Sequence, residues 1–314
     1  MDYSIETTDL TKSFGSLTAV NKLNIKVQRN TIHGFLGPNG AGKTTTIKII
    51  VGLLRPTSGS VTVLGREVHV DDADSRLRIG YMSELPKFPK HLKGAEMLDI
   101  YGRMYGMTKE QRAEQVPKLI EMVGLKGREN DLIGKYSKGM QQRIGIAQAL
   151  LNNPELVVLD EPSIGLDPVG MVEVRELVKN ISKEGMTVFL SSHLLFEVEQ
   201  ICDHVTIINK GAMIASDTPQ NISGQLGPAM VHIELVGLSI PVIAAVKKLP
   251  FVSGTWKTGN TLLIQVNTPD DVRAQISREV TGAGGVIIGM NQKISNLEDV
   301  FLQLITKDQG AKSQ

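Results

Sequence analysis

The chain has a single cysteine, Cys202, among its 314 residues, and aromatic residues make up only 4% of it. One thiol excludes an intramolecular disulfide framework and any cysteine-rich metal centre, and it suits a reducing compartment. Charge of one sign is lacking too: 34 Lys+Arg stand against 33 Asp+Glu, a formal net charge of +1. That balance gives no electrostatic reason to expect nucleic acid or an anionic membrane as the main partner. No apolar run reaches the roughly 18 to 20 residues of a spanning helix, so the chain is expected to be soluble and any membrane role to pass through a partner. The first residues, Met1-Asp2-Tyr3-Ser4-Ile5-Glu6, lack the basic and apolar blocks of a secretory signal. No internal repeat or low-complexity tract stands out, and the length suits about two domains.

Against these absences stands Gly37-Pro38-Asn39-Gly40-Ala41-Gly42-Lys43-Thr44, followed by Thr45. Its glycine, lysine and hydroxyl spacing is that of a phosphate-binding P-loop. The glycines let backbone N–H groups converge on one anion, Lys43 adds a point charge for the β- and γ-phosphates, and the Thr44 hydroxyl is placed to ligate Mg²⁺. The flanks agree. Residues 31–36 read as a short apolar strand and residues 43–54 as a helix closed by Arg55-Pro56-Thr57-Ser58-Gly59, which sets the phosphates on a helix N-terminus.

Along the chain, residues 5–10, 23–27 and 31–36 read as strands, with Phe14 in the first turn region. Strands at 60–64 and 77–82 lead into the proline-broken stretch Ser83-Glu84-Leu85-Pro86-Lys87-Phe88-Pro89. Residues 95–104, 109–123 and 140–151 carry helical spacing and suggest an inserted helical subdomain. The run Leu156-Val157-Val158-Leu159 is that of a strand buried on both faces of a parallel sheet. A helix at 172–182 and strands at 187–190 and 205–208 continue an α/β alternation. Beyond about residue 220 the order becomes strand 231–236, helix 241–249, strands 252–256 and 262–266, helix 272–280 and strand 286–290. That order resembles the ferredoxin-like split βαβ unit. A last helix is expected at 297–305, before a polar tail.

The buried strand 156–159 ends in Asp160-Glu161, a Walker B pattern that brings carboxylates to the sheet edge where the P-loop opens. Asp160 would hold Mg²⁺, directly or through water, and Glu161 would orient and deprotonate the water attacking the γ-phosphate.

With these residues in place the first 220 or so resemble an ATP-binding cassette (ABC) ATPase. Tyr136-Ser137-Lys138-Gly139-Met140-Gln141-Gln142-Arg143 resembles the ABC signature, with Ser137 and Gly139 matching its commoner Leu-Ser-Gly-Gly-Gln form and Tyr136, Lys138 and Met140 departing from it. The resemblance implies that Ser137 and Gly139 contact ATP held by an opposite protomer, and hence a dimer of identical or different ATPase chains. Ser163-Ile164-Gly165-Leu166-Asp167-Pro168 is similar to the family's D-loop, in which Asp167 would couple the two ATP sites. His193 matches the switch histidine, a donor to the γ-phosphate. Glu84 stands where the family usually has a glutamine, keeping an oxygen for Mg²⁺ or water but adding charge. Phe14 occupies the place of the adenine-stacking aromatic. Leu85 and Phe88 fall where the family receives a helix of the membrane subunit, although covering the subdomain's own core would account for them equally.

The expected architecture is therefore α/β. It comprises a P-loop NTPase of ABC type over residues 1–222, with a helical subdomain at about 86–152, a small C-terminal α+β, ferredoxin-like domain over 223–306, and a disordered tail over 307–314. The ending Ser295-Asn296-Leu297-Glu298-Asp299-Val300-Phe301-Leu302-Gln303-Leu304 resembles that of drug-resistance exporters. The resemblance implies an ATP- and Mg²⁺-dependent ATPase subunit driving a separate membrane permease from the cytoplasmic face, with no nucleic acid partner. Two alternatives are an ABC-type ATPase acting outside transport, and an ATPase regulated by ligands of the C-terminal domain. The first lacks the split motifs, zinc cysteines or second cassette that its known forms carry, and fold alone does not establish the second.

Overall fold

The computed structural model describes residues 3–70, 72, 76–224, 229–268 and 270–293, which form two compact units divided between Pro219 and Gln220. The expected helix 297–305, the tail and the exporter-like ending lie outside the described residues.

The first unit begins with β1 (Tyr3–Phe14), β2 (Leu17–Leu23) and β3 (Lys26–Gln28). After β4 (Ile32–Leu36) and α1 (Lys43–Ile50) come β5 (Ser58–Val63) and β6 (Arg66–Glu67). Strands β2, β1, β5 and β6 form an antiparallel sheet in that order, with β3 also paired to β1. Here the structure departs from the expected strands. β1 runs on to Phe14 because it absorbs bulges, with Asp9 at a φ of 46°. Gly59 lies against that bulge, where an added Cβ would come 2.4 Å from the Asp9 carbonyl oxygen. The single strand expected at 23–27 is split, because Lys22 has a φ of 45° and the Asn24 side chain accepts from Asp9 N at 2.8 Å. Helix α1 stops at Ile50 rather than residue 54, with Gly52 at a φ of 69° just beyond it.

The second sheet holds the core. β7 (Ile79–Met82), β8 (Leu156–Leu159), β9 (Thr187–Ser192) and β10 (His204–Asn209) run parallel with β4, and β11 (Ala212–Asp217) closes one edge antiparallel. The strand order is β11-β10-β4-β9-β8-β7. Buried throughout, β8 is wholly apolar while β4 and β9 carry Ile32, Phe35, Leu36 and Val188 to Leu190, and the rings of Phe35 and Phe189 meet at 5.3 Å between β4 and β9. His33 is an exception inside that core. Its ring stacks on Phe189 and His204, its Nε2 lies 2.9 Å from the Thr206 hydroxyl, and its Nδ1 has no hydrogen-bond partner. Burial, helped by the charge of His204, pushes its pKa down to about 3.

Between β7 and β8 the chain makes α2 (Gly94–Met104), α3 (Lys109–Met122) and α4 (Lys138–Leu150). Thr108 and Gln111 form a reciprocal capping box at the start of α3. Helices α5 (Pro168–Lys183) and α6 (Leu195–Ile201) flank β9, and α7 (Pro219–Gly224) follows β11. No helix among the described residues is long and apolar enough to cross a membrane.

The second unit comprises β12 (Ala229–Leu235), α8 (Ile240–Lys247), β13 (Val252–Thr258), β14 (Thr261–Val266), α9 (Arg273–Gly282) and β15 (Ile287–Lys293). Its sheet is antiparallel in the order β13-β14-β12-β15, which places β14 between the two strands of the first βαβ. Alternation along the strands buries Val231, Ile233, Leu235, Leu262, Ile264 and Val266 with residues of α8 and α9. Trp256 pairs with Leu263 on the opposite face, half exposed.

Candidate active site

Because β4, β7, β8 and β9 are parallel, their C-terminal ends lie along one edge of the sheet. The P-loop leaves β4, Glu84 follows β7, Asp160 and Glu161 follow β8, and His193 follows β9. That edge is where open α/β sheets bind ligands. Residues far apart in sequence therefore meet in one open pocket of about 550 Å³, lined among others by Phe14, Lys43, Thr44, Glu84, Glu161 and His193. Pro38, Asn39, Gly40, Gly42 and Thr45 also line it.

The P-loop is shaped by close backbone approach. Gly42 has a φ of 107°, and a Cβ there would sit 2.4 Å from the Ala19 carbonyl oxygen. At Gly37 a Cβ would meet the Ile208 carbonyl oxygen at 2.6 Å. Ala41, buried beneath the loop, donates its N–H to the Pro38 carbonyl at 3.1 Å. Lys43 folds back and donates to the Gly37 carbonyl at 2.7 Å, while its Nζ lies 3.2 Å from Glu161 Oε1.

Glu161 is the hub of the arrangement. It is buried, adopts a left-handed φ of 50°, and shares its second oxygen Oε2 with His193 Nδ1 at 2.7 Å. A non-glycine residue in that region stores backbone strain, which the surrounding bonds must hold. One of them comes from a residue the motifs did not single out: Ser191 Oγ accepts from Glu161 N at 2.9 Å and donates to Asp160 Oδ1 at 2.6 Å. Its only sequence signal is polarity at the end of an apolar strand, Ser191-Ser192 before His193.

Asp160 is fully buried, and its Oδ2 completes no hydrogen bond. Burial above all, with the nearby Glu161 charge, raises its pKa. Ser191, Thr44 and Lys43 oppose that rise. An orphaned carboxylate oxygen beside a threonine hydroxyl, at the mouth of a phosphate cradle, fits a hard divalent cation completed by phosphate and water oxygens. Phe14 is half exposed at the pocket wall, with Lys12 Nζ 5.2 Å from its ring centroid, so it is not a core residue.

A family model described as "ABC transporter" matches residues 20–164. The bacitracin transport ATP-binding protein BcrA of Bacillus licheniformis is 46% identical over 215 residues, 68% of this chain and 69% of that protein. The chain belongs to the ABC transporter ATP-binding family. The Nod factor export ATP-binding protein I of Cupriavidus metallidurans is 34% identical over 298 residues, 95% of each chain. A solved ATP-binding subunit of an ABC transporter, 30% identical, superposes with a TM-score of 0.63 over 70% of this chain and 92% of that one. As an ABC subunit the chain binds and hydrolyses ATP to power a transporter. Such cassettes dimerise and work with membrane permeases.

In this ABC chain Ser137, Gly139 and Asp167 are not among the residues lining the P-loop pocket, although Ile164 between them in the chain is. Ser137 caps α4, its hydroxyl accepting from Met140 N at 3.2 Å, and Asp167 caps α5, accepting from Gly170 N at 2.9 Å. The two loops adjoin, because a Cβ on Gly139 would touch Leu166 at 3.8 Å and one on Gly165 would meet Lys138 Nζ. Tyr136, a departure from the commoner signature, is accommodated by glycine: its hydroxyl donates to the Arg128 carbonyl at 2.9 Å and occupies the space a side chain on Gly94 would take.

Proposed function

We propose that ATP binds with its base against Phe14 and its phosphates on residues 37–45, and that Glu161 and His193 carry hydrolysis. The observation that supports this most is the continuous chain Lys43–Glu161–His193 over the phosphate cradle. Lys43 pairs with Glu161 across 3.2 Å. Phosphates arriving on the loop compete for the Lys43 ammonium, which releases Glu161 Oε1 to take a proton from a water, while His193 holds Oε2 in place. Thr44 and Asp160 would hold Mg²⁺, with Glu84 reaching it or its water, and the ion would neutralise charge on the phosphates. Ser137, Gly139 and Asp167, which do not line their own pocket, would complete the site of a second ATPase chain in a head-to-tail dimer.

Coupling to the permease fits a second groove, of about 510 Å³, between the core and the helical part. Phe88 lines it, meeting Tyr101 edge-on at 6.5 Å, and Leu85 beside it is 59% exposed. An amphipathic helix of the membrane subunit would seat there, keeping this chain on the cytoplasmic face. The name of the Nod factor relative supports the export direction.

The deciding experiment is steady-state phosphate release by wild type and Glu161→Gln, with sizing in ATP and Mg²⁺. Glu161→Gln is expected to lose turnover by about 10²-fold or more and to accumulate as an ATP-bound dimer. Wild-type turnover, or a monomer with ATP bound, would sink the assignment.

A further inference from the structure

One turn beyond His193 in the chain lies a buried carboxylate with no place in the mechanism above. Glu197, on the first turn of α6, is only 9% exposed, and its Oε1 has no hydrogen-bond partner. It lines a small cavity with Pro162, Ser163, Arg175 and Ser192, which brings together the segment after Glu161, helix α5 and the end of β9. Arg175 reaches in from α5, its guanidinium 5.7 Å from the Phe196 ring and its Nε also buried without a partner.

A carboxylate in such a place needs a reason, since leaving it incompletely bonded costs stability. Burial, with the nearby Glu161 charge, raises its pKa, and Ser163, which lines the same cavity, counters that rise together with the charges of Arg175 and His193. Glu197 thus acts on two segments at once. Ser163 is two residues past Glu161 on the loop that leads to Asp167, and His193 is one turn before Glu197 on the segment entering α6.

We propose that Glu197 is a positioning residue, tying the Ser163–Asp167 loop to the His193 segment so that the two move as one when nucleotide arrives. It touches neither phosphate nor Lys43, so its loss should slow turnover without weakening nucleotide binding. The inference rests on Glu161 and His193 being the hydrolytic pair.

The test is a double-mutant cycle in the full chain, reading kcat and KM for ATP in Glu197→Ala, Ser163→Ala and the double variant. Each single change is expected to lower kcat about tenfold with KM held within about twofold, and the double variant to be no slower than either. Glu197→Gln, which keeps an oxygen for Ser163, is expected to recover kcat to within about threefold of wild type. Losses that multiply, or a rise in KM matching the fall in kcat, overturn the role. If Glu197→Ala does not fold, Ser163→Ala and Glu197→Gln still decide, because wild-type kcat in Ser163→Ala, or a Glu197→Gln as slow as a catalytic knockout, refutes the tie. An inactive Glu161→Gln beside a fully active Glu197→Ala removes Glu197 alone; normal turnover in Glu161→Gln removes both readings.

Discussion

Acid should loosen the strand that carries the phosphate loop. His33 lies on β4, just ahead of Gly37, sealed between Phe189 and His204 with its Nδ1 unbonded. Burial first, and the His204 charge second, take its pKa from 6.5 to about 3. The unfolded chain therefore takes up a proton that the folded one refuses. Stability from this group is complete above pH 6.5 and is lost as the pH falls toward 3. Linkage between those two values amounts to a loss of about 2 kcal/mol at pH 5 and about 3 kcal/mol at pH 4. A glutamine in its place keeps a donor for Thr206 and cannot titrate. Urea unfolding followed by far-ultraviolet circular dichroism, at about pH 7 and about pH 5, compares wild type with His33→Gln. The variant should lose about 2 kcal/mol less than wild type over that interval. Parallel losses would refute the reasoning, since they would mean that His33 binds its proton as readily folded as unfolded.

Gly42→Ala should abolish ATP binding and lower stability by about 2 kcal/mol or more, because its φ of 107° and the Ala19 carbonyl 2.4 Å from the new Cβ leave no room. Equilibrium nucleotide titration and thermal unfolding check it, and a variant that binds ATP like wild type contradicts the close approach. Asp160→Asn should separate stability from function. Its carboxyl has a raised pKa because burial penalises the charge, so that charge costs stability above the ordinary carboxylate range; the neutral isostere should be more stable near pH 7. The same change should eliminate Mg²⁺-dependent hydrolysis, and a lower melting temperature or retained turnover would contradict it.

The phosphate cradle and the Walker carboxylates were legible because their chemistry demands particular residues at short, fixed spacing. Parallel strands turned that local signal into a site, as β4, β8 and β9 deliver Gly37, Asp160 and His193 to one edge. The ferredoxin-like order was legible for a related reason, since period-two burial alternates cleanly along β12 and β14. What stayed hidden depended on tertiary partners. Ser191 and Glu197 belong to no short motif and matter only through what they face. The break after Leu23 and the extension of β1 to Phe14 come from a bulge at Asp9 and a side-chain bond from Asn24, neither of which disturbs the hydrophobic pattern. Leu85 and Phe88 divide two readings that pattern alone left open, one side chain standing in solvent and the other packed on Tyr101.

Trp256 is the only tryptophan in the chain, and it stands half exposed on β13, its indole lying over Gly254, where a Cβ would come within 2.7 Å of the ring. Every indole photon from this protein therefore originates in the second unit, while the first unit carries all five tyrosines and no tryptophan. A shift of the indole emission on adding nucleotide would therefore report a change around Trp256 in the second unit, readable without a label.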